Sequence, residues 1–139
     1  MRELLVDSLT SRFESYNDLT SETNDNELGK KLDILKHKSL GEHLWCVIGA
    51  RESYARAIEA GSWMGFNCSL QDFSHNSFKD KVSSSSIEVL EAINNVTVWT
   101  KAREALLITL AEHEVMHEGQ IIRHLYGLEH KIPESVKWA

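Results

Sequence analysis

Residues 106–128 read LLITLAEHEVMHEGQIIRHLYGL, and the spacing inside this stretch decides the fold. Leu106, Leu110, His113, His117, Ile121, His124 and Leu128 follow one another at steps of four, three, four, four, three and four. Those steps trace one face of an α-helix turned toward a core. The helix is expected to begin after a break somewhere between 94 and 101 and to run to about Tyr126. Gly127 supplies its C′ stop.

Working outward, three more amphipathic segments precede it. Ser39-Leu40-Gly41-Glu42 is a capping-box pattern, in which the Ser hydroxyl and the Glu carboxylate satisfy backbone N–H groups at a helix start. The stripe Leu40, Leu44, Val47, Ile48, Ala55 and Ile58 follows, and Gly61 ends it. A first helix over about 1–19 carries Leu5, Leu9, Phe13 and Tyr16 on one face. Residues 20–26 after it are polar and turn-rich, with room for a short extra turn through 28–35. The third helix is expected to start in the serine run 83–86, with Ser85 and Glu88 as a second capping box. It continues through Ile87, Leu90 and Ile93 and breaks at Asn94-Asn95 and the β-branched run Val96-Thr97-Val98.

Residues 61–82 lack periodicity and carry Trp63, Phe66, Phe73, His75 and Phe78. They read as a long loop, either a lid or, the reading we favour, aromatic anchors onto the bundle. The tail, with Ile132, Pro133 and Trp138, is expected to pack irregularly. The chain offers no convincing strand and no internal repeat. The expected fold is therefore all-α: one domain over 1–139, a four-helix bundle with a long loop between the second and third helices.

Composition narrows the function. The formal charge is −6, and Lys30-Lys31 is the only adjacent basic pair, so no broad nucleic-acid surface is expected. No run approaches the length of a membrane span, and the acidic N-terminal residues Glu3 and Asp7 do not suit a signal peptide. Cys46 and Cys68 are too few for a disulfide framework and fit a reducing compartment. A cytoplasmic location is expected, with no nucleic-acid or membrane partner.

The chemistry lies in the histidines. His113 and His117 are four residues apart on the inward face, close enough to grip one divalent ion. Two imidazoles in a core waste polar capacity unless something satisfies them, and a metal does so directly. A catalytic ion of this kind needs at least three protein ligands. His43, one turn after Leu40 on the flank of the second helix's stripe, is the best third candidate. His37 precedes the capping box and should be exposed, His75 falls in the long loop, and His130 follows the last helix. His124 shares the inward face but lies two turns beyond His117, roughly 10 Å along the axis, too far for the same ion. It reads as a core or pocket-wall residue. Cys46 points away from the stripe and is not expected to ligate. Arg51 falls in the middle of the second helix's apolar face, where it pairs with an inward carboxylate or anchors an anion.

His113-Glu114-Val115-Met116-His117 also matches the zinc-peptidase pattern, with Glu114 as general base. The rest of that pattern is missing. The glycine is Gly119 rather than residue 120, and Arg123 stands where a third histidine would be needed. Only 22 residues follow His117, and Glu134 sits just after Pro133, where no long helix can supply a carboxylate ligand. Glu114, about 100° around the helix from His113, is expected to act beside the ligands or in a salt bridge.

Several strings together resemble the DinB/YfiT-like superfamily of small metal-binding four-helix bundles. They are Ser39-Leu40-Gly41-Glu42-His43-Leu44, Gly49-Ala50-Arg51, and above all His113-Glu114-Val115-Met116-His117-Glu118-Gly119-Gln120-Ile121-Ile122, followed by Tyr126-Gly127-Leu128 and Pro133. The resemblance covers nearly the whole chain. It implies His43, His113 and His117 as the metal ligands, the same triad that the spacing suggests. It implies zinc or nickel, with iron or copper as further options, and a homodimer. It also implies a metal-dependent enzyme that transfers a low-molecular-weight thiol to an electrophilic small molecule, as in detoxification or stress response. A non-catalytic metal- or ligand-binding helical dimer and a metal-dependent hydrolase are the alternatives, and no catalytic residue is assigned. The connection between the third and fourth helices is shorter than in longer relatives, which implies a smaller pocket rim.

Overall fold

A computed structural model describes residues 1–136, and Trp138 lies outside the described residues. The described residues form five α-helices and a closing 3₁₀ turn, with no strand among them. Four helices are long: α1 (Arg2–Ser21), α3 (Leu40–Ala60), α4 (His75–Asn95) and α5 (Lys101–Gly127). The short α2 spans Asp25–Gly29, and the 3₁₀ turn spans Glu134–Val136. Both α1 and α3 pack against α4 and α5, so α1 and α3 occupy opposite corners of a four-helix bundle. The expected fold class stands.

The capping signals explain most helix starts. Ser39 and Glu42 form both halves of the expected capping box, and Gly61 takes the left-handed φ of 81° that ends α3. A box that the sequence reading passed over starts α2: Asn24 accepts from the Glu27 amide, and Glu27 accepts from the Asn24 amide. Its place, 25–29, precedes and only touches the turn expected through 28–35. At the end of α5, Gly127 is still helical and Glu129 takes the left-handed conformation (φ 56°).

The start of α4 is corrected. Ser74, whose hydroxyl accepts from the Ser77 amide, caps the helix at His75, and the serine run 83–86 lies within it. The expected start failed because serines read as caps, whereas here they bond back to their own helix. Ser86 Oγ donates to the Val82 and Ser83 carbonyls, which satisfies the hydroxyl without ending the helix. The earlier start brings Phe78 and Val82 into the core. It also moves His75 out of the loop to the first position of the helix.

The loop over 62–74 is shorter than expected and is tied along α3. Ser53 Oγ accepts from the Asn67 amide and donates to its carbonyl. The buried Glu52 carboxylate accepts from the Ser69 amide at 2.7 Å and from its hydroxyl. Gly49 admits the strap: a Cβ there would stand 2.3 Å from the Phe66 ring and 2.9 Å from Cys68 Cβ. The loop is anchored, but chiefly by these polar ties rather than by the aromatic rings expected to do it, since Trp63, Phe66 and Phe73 stay about half exposed.

One polar side chain crosses the centre of the bundle. Arg51 of α3 is fully buried, and its guanidinium lies 4.5 Å from the Phe13 ring and 4.9 Å from the Tyr16 ring of α1. It donates to the Val82 carbonyl of α4 at 3.0 Å and, through two nitrogens, to Glu114 of α5 at 2.9 and 2.7 Å. Tyr16 Oη in turn donates to the Glu114 carbonyl. All four long helices therefore meet on a single ion pair whose charges are hydrogen-bonded, as burial requires.

Candidate metal centre

The pair fixes how α5 faces the core. Its buried positions are Leu107, Leu110, Glu114, His117, Glu118, Ile121, His124 and Leu125. The stripe is thus turned by about one residue from the expected one. Leu106 and Leu128 are only partly buried, and Glu114 rather than His113 points to the centre. His113 sits half-buried beside the core, while His117 is 4 % exposed. Both carboxylate oxygens of Glu114 are occupied by Arg51, so Glu114 has no lone pair aimed at a substrate. This is the salt-bridge role expected of it, and Arg51 takes the structural role expected of its position.

The histidines come together from α3, α5 and the segment between α2 and α3. His43 is 5 % exposed, and its Nδ1 lies 3.3 Å from Nδ1 of His117. The ring centroids of His113 and His117 are 4.5 Å apart, and Nδ1 of His113 is buried with no hydrogen-bond partner. Burial is the main cause that lowers all three pKa values. His117 falls to about 3, with His113, His43 and Lys38 adding to the shift. His43 falls to about 4, helped by Lys38 and two neighbouring imidazoles. His113 also falls. The three rings are therefore neutral at physiological pH.

Two nitrogens that ligate one tetrahedral ion at 2.0–2.1 Å stand roughly 3.3–3.4 Å from each other, the spacing seen between His43 and His117. The unpartnered Nδ1 of His113 leaves a buried acceptor or donor that a third bond to an ion would satisfy. Neutral imidazoles are the ligating form. With the rings as they stand, no three His, Cys, Asp or Glu among the described residues form a complete ion site. The His43–His117 spacing and the unpartnered Nδ1 of His113 are the two features here compatible with an ion.

The remaining histidines divide. His37 is not exposed as expected: its Nε2 is 2.9 Å from Nδ1 of the fully buried His124, and the two rings stack at 5.1 Å. Of the two roles expected for it, His124 takes that of a fully buried core residue, outside the cavity lining, and it lies 6.3 Å from His43, centroid to centroid. Sequence periodicity could not find the His37 contact, because 30–38 has no regular structure beyond its turns. His75 Nε2 is bonded to the Thr20 carbonyl and His130 Nε2 is paired with Glu27, both away from the triad. Cys46 is a thiol that accepts from Lys38 Nζ at 3.3 Å and does not join the ligands.

A cavity of about 650 Å³ opens beside His43 and His117, within the range of small-molecule sites. Lys36, His37 and Lys38 wall one side, and Met116, Gln120 and Arg123 of α5 wall the other. The rim thus comes from the α2–α3 connection, not from the aromatic loop. Among the described residues, no helix is long and apolar enough to cross a membrane.

No family model matches the sequence, and no curated protein matches it either. Among solved structures, the chain is similar to a DinB-like protein from Bacillus cereus ATCC 10987. The TM-score is 0.72 over 94% of this chain and 95% of that one, with 18% sequence identity. The chain has the DinB-like helical-bundle fold.

Proposed function

We propose that this chain is a divalent-metal protein of the DinB/YfiT-like type, in which His43, His113 and His117 hold one ion. The observation that carries the reading is the 3.3 Å approach of two neutral imidazole nitrogens next to the orphaned buried Nδ1 of His113. Zinc or nickel suits three imidazoles best, and iron or copper is also accommodated. When bound, such an ion acts as a Lewis acid and lowers the pKa of a coordinated water or thiol.

Around that centre the chain's own residues bind and orient. The Arg51–Glu114 pair holds α5 in the rotation that turns His117 toward His43. The cavity beside His43 and His117, between Lys38 and Arg123, has room for a small molecule. Glu114 of the His-Glu-Val-Met-His string is held by Arg51 and is not free to take a proton from water. That speaks against a hydrolase of the peptidase kind. It favours transfer of a low-molecular-weight thiol to an electrophilic small molecule, where the nucleophile needs no protein base. A non-catalytic metal-binding role shares the same centre and is separated by turnover alone.

Elemental analysis of purified protein tests the centre. One divalent ion per chain is expected, and His43→Ala, His113→Ala and His117→Ala should each lose it while remaining helical. Stoichiometric metal in all three variants would overturn the triad. Turnover of a thiol with an electrophile, abolished in His43→Ala, separates enzyme from binding protein.

A further inference from the structure

The charge of the cavity does not match that of the chain. The sequence carries 21 acidic and 15 basic residues, yet no Asp or Glu lines this cavity. Lys36, Lys38 and Arg123 do, together with Gln120 and the imidazoles of His37, His43 and His117. Among the described residues neither Lys36 nor Arg123 has an ion-pair partner, and Lys38 reaches only the Cys46 thiol. The other lysine nearby, Lys31, is paired with Glu42. Lys36 holds a left-handed φ of 63°, a conformation that costs a non-glycine residue and that places this cation at the rim.

A divalent ion held by three neutral ligands would bring a further two positive charges into this space. Cations that line such a cavity without carboxylates repel the ion unless the occupant is negative. We propose that the cavity binds a small anionic molecule, and that Lys36, Lys38 and Arg123 grip its carboxylate or phosphate group at the rim while its other end reaches the imidazoles. The charge fixes orientation and draws the ligand in from solution. It also selects against neutral molecules of the same shape, because their polar ends would meet three unpaired cations. The proposal rests on the metal reading only for the position of the reacting end; the anion grip belongs to the three cations.

Isothermal titration calorimetry tests it with succinate, inorganic phosphate and the neutral succinamide, on metal-loaded and on chelator-treated protein. At least one of the two anions should bind both forms, more tightly with metal, while succinamide binds at least about tenfold more weakly. Phosphate alone or succinate alone would identify the group recognised. The exposed side chains allow Lys36→Gln, Lys38→Gln and Arg123→Gln without disturbing the core. Each should weaken binding roughly tenfold, and high salt should weaken it further. Succinamide binding equal to succinate, a triple variant within about twofold of wild type, or no binding of either anion to the loaded protein would overturn the proposal. Anion binding by protein that takes up no metal leaves the grip standing and fails only the metal centre, so the two readings fall separately.

Discussion

Replacing Glu114 with Gln should unsettle the bundle more than any change at the cavity. The substitution keeps the size of the side chain and removes one charge. It leaves the guanidinium of Arg51, fully buried against Phe13 and Tyr16, without its counter-ion. Breaking one side of a buried pair costs about 3–5 kcal/mol. In a domain of this length that lowers Tm by roughly 10–20 °C. Arg51→Met strands the carboxylate instead and also loses the ring contacts, which are worth about 1–2 kcal/mol when desolvated. The double variant Arg51→Met/Glu114→Leu removes both charges and fills much of the same volume, so it should be markedly more stable than either single change. Urea denaturation followed by far-UV circular dichroism on wild type and the three variants gives the comparison. A Glu114→Gln protein within about 1 kcal/mol of wild type would refute the account of Arg51 and Glu114 as the central pair. So would a Glu114→Gln protein that keeps full stability and loses only turnover, because Glu114 would then be acting as a base.

Two further outcomes follow from the site and from the strap over α3. Three imidazoles of ordinary pKa carry roughly two protons between them at pH 6. With His117 drawn down to about 3 and His43 to about 4, those two carry almost none, and His113 is lowered as well. A lower pKa means fewer protons to displace, so zinc uptake at pH 6 should release less than about one proton, a metal-bound water adding only about a tenth. Calorimetry in two buffers of different ionisation heat measures this, and a release of two or more would contradict neutral, desolvated ligands. Gly49→Ala should cost about 1–3 kcal/mol even though alanine favours helix, because the added methyl meets Phe66 and Cys68. Faster thiol labelling of Cys68 in that variant would place the damage at the strap, whereas a higher urea midpoint would show that the close approach does not constrain α3.

The long helices were legible where periodicity and a cap agreed. Ser39, Glu42 and Gly61 bound α3 as expected because each signal has one dominant local use: hydroxyl and carboxylate on free amides, and glycine in the left-handed region. The start of α4 was illegible for the opposite reason. Serine caps a helix or bonds back along one, and only the burial of Phe78 and Val82 decides between these uses at 83–86. The approach of His43 to His117 was legible because the capping box fixes the phase of His43 and the stripe of α5 fixes that of His117. The cavity rim was not. Lys36, His37 and Lys38 belong to an irregular segment whose position depends on tertiary contacts such as the His37–His124 bond.

The phase of α5 carries the deeper lesson. An inward stripe drawn through Leu106, His113 and Leu128 assumes that the most apolar line faces the core, and it makes Glu114 a flank residue. The bundle instead turns Glu114 to the centre because Arg51 stands across from it, and one buried ion pair outweighs the modest difference between burying Leu106 and burying Leu107. That rotation by one residue changes the chemistry of the His-Glu-Val-Met-His string. In a peptidase the glutamate must stand free beside the ion and take a proton from water. Here two guanidinium nitrogens hold it, and His117 is left as a neutral donor in the wall of a cavity that Lys36, Lys38 and Arg123 also line. On the proposed reading the same five residues would hold an ion while their glutamate is withheld as a base, and what separates the two outcomes is an arginine 63 positions away in sequence.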